Sequence, residues 1–265
     1  MLTRGEVSRS LASLKTILLL TGLTFATVVS AQPFPQAHAH NDYEHDHPLL
    51  DALTHGFLSV EADVHLVRNQ MLVAHTRPII VRRTLEELYL QPLDSIVRHN
   101  NGRVYEKYSG TFYLMIDIKG NAEQTFLQLN KVCDKFPALF DRKGGFLPVT
   151  IFLSGNRPIE LVLRDPAKRM SIDGRPADLG KSYDPAFMPV VSDNFSKWSD
   201  WNGDGKPELR RVRELAKRVH AENKRLRLWA IPDRPNCWEA LLDAGVDIIN
   251  TDHLAELETF LRAKR

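Results

Sequence analysis

Eight short apolar runs rich in β-branched residues, separated by amphipathic stretches, recur along this chain and restrict what it can fold into. The runs are Gln36 to His40, Leu58 to Leu66, Thr111 to Ile118, Val149 to Leu153, Arg169 to Ile172, Pro189 to Ser192, Arg227 to Ile231 and Asp247 to Thr251. Helical spacing fills the intervals at Pro48 to Thr54, Thr84 to His99, Ala122 to Lys135, Pro207 to Glu222, Trp238 to Asp243 and Leu254 to Ala263. Strand and helix in alternation predict an α/β chain, here a single-domain (β/α)8 TIM barrel; a doubly wound parallel sheet is the other arrangement the pattern allows. In a barrel the chemistry collects where the strands end, and most of these runs end in polar residues.

The barrel is expected over residues 32–265, because residues 1–31 read as a signal peptide. Arg4, Arg9 and Lys15 precede the apolar run Ile17 to Val29, and Val29-Ser30-Ala31 places small residues before a cut at Gln32. Export to a periplasm or the extracellular space follows. The leader takes three of the 35 basic and one of the 33 acidic residues with it, so the remaining chain is electrically balanced. Such a balance argues against a polyanion binder and hence against nucleic acid as a partner. Cys133 and Cys237 lie far apart in predicted helices with no metal-ligand spacing, and read as buried thiols.

The run Phe57-Leu-Ser-Val-Glu-Ala-Asp-Val-His-Leu66 carries the strongest chemical signal. Side chains alternate along a strand, so Glu61, Asp63 and His65 share one face while Val60, Ala62, Val64 and Leu66 share the other. Taken alone, Glu-x-Asp is more often a solvated strand edge. Inside an apolar strand, unpaired carboxylates are costly unless a cation or donor network receives them. The run ending at Ile118 repeats the theme, with Asp117 and Lys119 two apart; a salt bridge at a strand end is the plainer reading of that pair. Histidines frame the acidic strand in Gln36-Ala-His38-Ala-His40-Asn41-Asp-Tyr43 and Met71-Leu-Val-Ala-His75. Carboxylates for a hard cation and imidazoles for protons are the equipment of a hydrolase. Asp200-Trp-Asn-Gly-Asp-Gly-Lys-Pro-Glu208 opens like a calcium loop, but its twelfth position is Arg211, so a substrate-side loop is the preferred reading.

These motifs, in this order, resemble the glycerophosphodiester phosphodiesterase and phosphatidylinositol phospholipase C-like barrels, and most closely the branch named for the yeast altered inheritance of mitochondria protein. The resemblance rests on His38-Ala-His-Asn-Asp-Tyr43, Pro48-Leu-Leu-Asp-Ala-Leu53, Gly56, Ser59-Val-Glu-Ala-Asp-Val-His65, Val73-Ala-His75, Asp117-Ile-Lys119 and Gly245-Val-Asp-Ile-Ile-Asn-Thr-Asp252, and so spans nearly all of residues 32–265. It implies one divalent cation, Mg2+ or Ca2+, held by Glu61, Asp63 and Asp117. It further implies two catalytic histidines, His75 and one of His38 and His40, with His38 slightly preferred. Lys119, Asn41 and Arg83, the last in an Arg-Thr pair after His75, are the implied substrate contacts.

The expected activity is hydrolysis of a small or lipid-derived phosphodiester by a monomer whose contact with a membrane is at most peripheral. Two other readings compete. In one, His38 and His40 open the metal site of an amidohydrolase-type barrel; in the other, the chain is an exported binding protein on a degenerate barrel.

Overall fold

The computed structural model describes residues 33–78, 83–141 and 146–265; the expected leader lies outside them. In chain order the elements are β1 (Phe34–Ala39), α1 (Leu50–Thr54), β2 (Phe57–Val67), β3 (Gln70–Val73), α2 (Gln91–His99), β4 (Phe112–Ile118), α3 (Ala122–Cys133), α4 (Pro137–Phe140) and β5 (Val149–Gly155). They continue with α5 (Ile159–Arg164), β6 (Met170–Gly174), β7 (Val190–Asn194), α6 (Arg210–His220), β8 (Arg225–Trp229), α7 (Pro235–Asp243), β9 (Ile248–Thr251) and α8 (Leu254–Ala263). The sheet runs β1-β9-β8-β7-β6-β5-β4-β2, all parallel, and β1 pairs with β2 to close the ring. The barrel is therefore the expected one, with its eight parallel strands at or within two residues of the predicted positions.

The ninth strand, β3, was not foreseen. It pairs antiparallel with the far end of β2, matching Val64 to Val73 and Val67 to Gln70. Arg68 and Asn69 turn the chain between them, both at positive φ, as a two-residue hairpin requires. Alternation along β2 shows which edge β3 takes. Val64 accepts the Lys119 amide on the β4 side, whereas Asp63 accepts the Ala74 amide on the opposite side, the one that β1 has by then left. β3 thus continues the barrel wall above β1 and carries His75 to the mouth.

The apolar core is an annulus between the strands and the helices. Val60, Ala62 and Val64 of β2, Leu114, Ile116 and Ile118 of β4, and Leu226 and Leu228 of β8 all face outward into it. The inward-facing alternates are largely polar yet buried: His38, Ser59, Glu61, Asp63, Ser154, Ser171, Asp173, Ser192, Arg227 and Asn250. Barrel interiors are ordinarily filled by branched aliphatic side chains. A polar axis in a dry interior is tolerable only if its groups satisfy one another, and that condition shapes the site.

Candidate active site

Glu61 and Asp63 on β2 stand beside Asp117 on β4, because the register sets Asp63 level with Asp117. One donor oxygen from each lies within 4.8 Å of the others. Among the described residues, this is the set of histidine, cysteine and carboxylate donors that converges in this way. The Asp63 Oδ2 atom is heavily used: it accepts from the Tyr43 hydroxyl at 2.8 Å and lies 3.1 Å from His75 Nδ1 and 3.0 Å from Lys119 Nζ. Among the described residues its Oδ1 is buried with no partner. A buried carboxylate oxygen left open beside two further carboxylates is what a hard cation completes, so the residues present fit such a group.

Lys119 reaches Asp117 Oδ1 at 3.1 Å as well as Asp63, and so bridges two of the three acids. Burial raises the Asp117 carboxyl above the ordinary range; Lys119 opposes that shift, and the charges of Glu61 and Asp63 add to it. Gly155 at the end of β5 makes room for this arrangement. Its φ is +63°, and a Cβ there would overlap the Asp117 carboxylate.

The two histidines of β1 have different surroundings. His38 is fully buried, with Nδ1 2.7 Å from Ser59 Oγ and Nε2 3.4 Å from Glu61 Oε2. Burial, reinforced by the neighbouring Arg227 charge, depresses its pKa well below the usual histidine value and keeps it neutral. His40 stands one step beyond the strand with its side chain 32% exposed, and its Nδ1 is 2.8 Å from Asp252 Oδ1. Burial disfavours the imidazolium, but the Asp252 hydrogen bond and the nearby Glu61 and Asp252 charges outweigh it, so the His40 pKa is raised. Asp233 holds the Asp252 backbone amide at 2.9 Å and so fixes this partner. His38 and His40 do not meet as a metal pair. His75 is two-thirds exposed and meets the triad at Asp63.

Of the expected substrate contacts, Lys119 lies in the site. Asn41 shares the Tyr43 hydroxyl at 3.0 Å and adopts the left-handed conformation that turns the chain after β1. Arg83 donates to the Tyr43 carbonyl at 2.6 Å, tying the segment before α2 to the β1–α1 loop. In the calcium-like loop, Arg234 donates to Asp204 Oδ1 at 2.7 Å and to the Asn202 carbonyl at 3.0 Å, so a guanidinium already binds two of its acceptors.

Two residues were missed. Tyr43 orients Asp63, and Arg227 reaches up from the barrel floor to Glu61 Oε2 at 3.2 Å while its Nε donates to Asn250 at 2.9 Å. An available signal was an arginine at an interior position of a strand whose alternates, Leu226 and Leu228, are apolar.

Comparison with known proteins agrees with this geometry. Residues 27–172 match the AIM6-like phosphodiesterase domain, and residues 225–255 match the glycerophosphoryl diester phosphodiesterase family. The Eremothecium gossypii altered inheritance of mitochondria protein 6 is 28% identical over 85% of this chain and 69% of its own length. Its Arthroderma benhamiae homolog is 26% identical over 83% and 81% respectively. A glycerophosphodiester phosphodiesterase from Parabacteroides distasonis superposes with a TM-score of 0.54 at 14% identity, covering 86% of this chain and 97% of that one; one from Agrobacterium tumefaciens gives 0.51 at 13%, covering 86% and 100%. At such identity the two structures speak for the barrel alone. With its polar barrel and its match over more than half its length, the chain belongs to the AIM6-like branch of the glycerophosphodiester phosphodiesterase and phospholipase C-like superfamily.

Proposed function

We propose that this chain is an exported, metal-dependent phosphoric diester hydrolase acting on glycerophosphodiesters or lipid-derived phosphodiesters. The observation that carries the reading is the open Asp63 Oδ1 amid converging Glu61 and Asp117, with the His75 imidazole on Asp63 and the His40 imidazole held by Asp252. A divalent cation on those three acids would act as a Lewis acid toward a phosphate oxygen.

The remaining steps use the chain's own groups. Lys119 places an ammonium beside the acids, where it offsets the negative charge that grows on the phosphate oxygens. His75 gives its Nδ1 to Asp63, which leaves Nε2 as the base that takes a proton from water or from a substrate hydroxyl. His40, held through Nδ1 by Asp252 and raised in pKa, delivers a proton from Nε2 to the departing alkoxide. His38 has no exposed atom with which to meet a substrate, so we assign the transfer to His40 and give His38 the task of holding Glu61.

The neutral charge balance and the single lysine favour small diesters over polymers, with the protein acting as a monomer that touches a membrane at most peripherally. The test is a matched panel of a glycerophosphodiester, a chromogenic phosphodiester, a phosphomonoester, a simple amide and duplex DNA, run after chelation and after restoring Mg2+ or Ca2+. Diester turnover that returns with metal and exceeds all the others supports the assignment. Preferred monoester, amide or nucleic-acid cleavage overturns it, and metal binding with no turnover returns the chain to the binding-protein reading.

A further inference from the structure

We infer that Arg175 and Ser154 form an anion subsite beside the acid triad, and that the preferred substrates are diesters whose alcohol carries a second acidic group, a carboxylate or a phosphate. This rests on the reading of the chain as a diester hydrolase and goes on to name what the rest of the substrate carries.

The barrel wall repeats one spacing. Lys119 follows Asp117 by two residues at the end of β4, and Arg175 follows Asp173 by two residues at the end of β6. Asp117 is level with Ser154, and Leu153 with Ile172, so Asp117, Ser154 and Asp173 form one layer and each cation stands one step above it. With β5 between them and strands ~4.8 Å apart, β6 stands roughly 10 Å along the wall from β4. Lys119 serves the diester phosphate at the triad, and a group held by Arg175 belongs to another part of the substrate.

Arg175 is only partly used by the fold. Its Nη1 donates to Asp173 Oδ2 at 2.7 Å and to the Gly174 carbonyl at 2.9 Å, and its Nη2 donates to Ser154 Oγ at 3.0 Å. A guanidinium carries five N–H donors, and among the described residues neither Nε nor the second Nη2 hydrogen of Arg175 has an acceptor. Donors on neighbouring nitrogens of a planar fork match the oxygens of a carboxylate or phosphate. The side chain is 27% exposed, above buried Ser154 and Asp173. Asp173 does not need this arginine for all its donors, since Ser154 and Ser192 also bond it and the Arg227 guanidinium lies 4.0 Å away. Nearby, Asp178 is paired with both Arg157 and Lys181. Two acids thus face four cations, of which Arg227 is shared with Glu61, and the positive excess on this side of the barrel draws an acidic group.

The test is hydrolysis of three matched glycerol phosphodiesters by the full chain with Mg2+ or Ca2+ restored. Their second alcohols are glycolic acid, ending in a carboxylate; ethylene glycol monophosphate, ending in a phosphate; and ethylene glycol, ending in a neutral hydroxyl. Wild type should favour at least one acidic ester over the neutral one by ~10-fold in kcat/KM, mainly through KM, and added NaCl should shrink that ratio. Which acidic ester leads tells the carboxylate source from the phosphate source. Arg175→Met should lose most of the ratio through a higher KM for the acidic ester, with Mg2+ affinity by calorimetry close to wild type. Arg175→Lys, which keeps the charge but loses the fork, should fall between the two. The wild-type comparison decides even where a variant does not fold. Equal or reversed preference in wild type, or a preference that survives Arg175→Met, overturns the inference while diester hydrolysis stands. Turnover of none of the three esters overturns the hydrolase reading beneath it.

Discussion

Two groups of acids inside one barrel have opposite fates. Asp173 on β6 is fully buried and saturated: its Oδ1 accepts from Ser192 at 2.5 Å, and its Oδ2 from Ser154 at 2.8 Å and Arg175 at 2.7 Å. Asp63 is almost as buried, but one of its oxygens is crowded with donors and the other has none. A carboxylate whose acceptors are all used by the fold is part of the scaffold; one left open among other carboxylates waits for something the chain does not supply. Asp42, beneath the β1–α1 loop, is a third kind. Its Oδ2 takes the Leu49 amide at 2.6 Å and the Tyr89 hydroxyl at 2.9 Å, its Oδ1 has no partner, and desolvation, opposed in part by those bonds, pushes its pKa to about 7.

The contrast is sharpest if the two buried aspartates are amidated in turn. Asp63→Asn should abolish tight cation binding and lower diester turnover by ~10⁴-fold, since the cation is worth several kcal/mol in the transition state. Asp173→Asn should instead lower unfolding free energy by roughly 1–3 kcal/mol, as hydroxyl and guanidinium donors lose their acceptor, with cation affinity close to wild type. Paired calorimetry and urea melts decide; if Asp173→Asn loses the cation as fully as Asp63→Asn, the division between scaffold and site fails.

A smaller effect separates the histidines. Alanine at His40 or His75 should cost ~10³-fold in kcat at saturating metal, with the melting temperature little changed. His38→Ala should keep kcat within about tenfold under the same conditions and show its loss as ~10- to 100-fold weaker metal binding, through Glu61. A kcat collapse at saturating metal in His38→Ala would restore the order of preference read from the sequence.

The last comparison concerns Asp42 and is read as a slope. Its native pKa of about 7 lies above the ordinary 3.8, so between those values the folded chain keeps a proton that the unfolded chain has released. Stability must then fall as pH rises from about 4 to about 7, by up to ~1.4 kcal/mol per unit. Asp42→Asn removes that contribution, so its stability relative to wild type should improve from pH 5 to pH 8. Parallel stability profiles for the two proteins would show Asp42 to be ionised in the folded state.

Much of this is legible in the sequence alone. Period-two alternation placed Glu61 and Asp63 on one face, and the repeat at Asp117 set the third acid beside them, because side-chain direction on a strand is a local property. What escaped depends on distance in the chain. Tyr43 meets its partner 20 residues away and Arg227 meets Glu61 166 residues away, and no local period encodes either. The strand holding Arg227 is expected over Arg227 to Ile231 and runs two residues earlier, Arg225–Trp229. In fact Arg227 points into a polar axis that no apolar pattern announces. β3 was missed because four residues are too few for a period, and the same brevity hid α4 and α5. The burial of His38 was not legible, since two histidines spaced by one residue look alike until the strand's end is known.

β3 takes the edge that β1 abandons, and so the three acids, the lysine and all three histidines of the site lie between His38 and Lys119, with Arg227 and the Asp233–Asp252 pair supporting them from the later half. Few loops of the later half need keep a fixed shape for the reaction to run. Those after β5, β6 and β7 can change in length and composition while the acids, the lysine and both imidazoles stay in register, whereas the loop after β8 carries Asp233, which fixes the Asp252 partner of His40. On the proposed hydrolase reading, a lineage built on this barrel is free to change what binds at the mouth while the acid triad is kept, and grafting the loops after β6 and β7 between relatives is the natural way to move specificity from one to another.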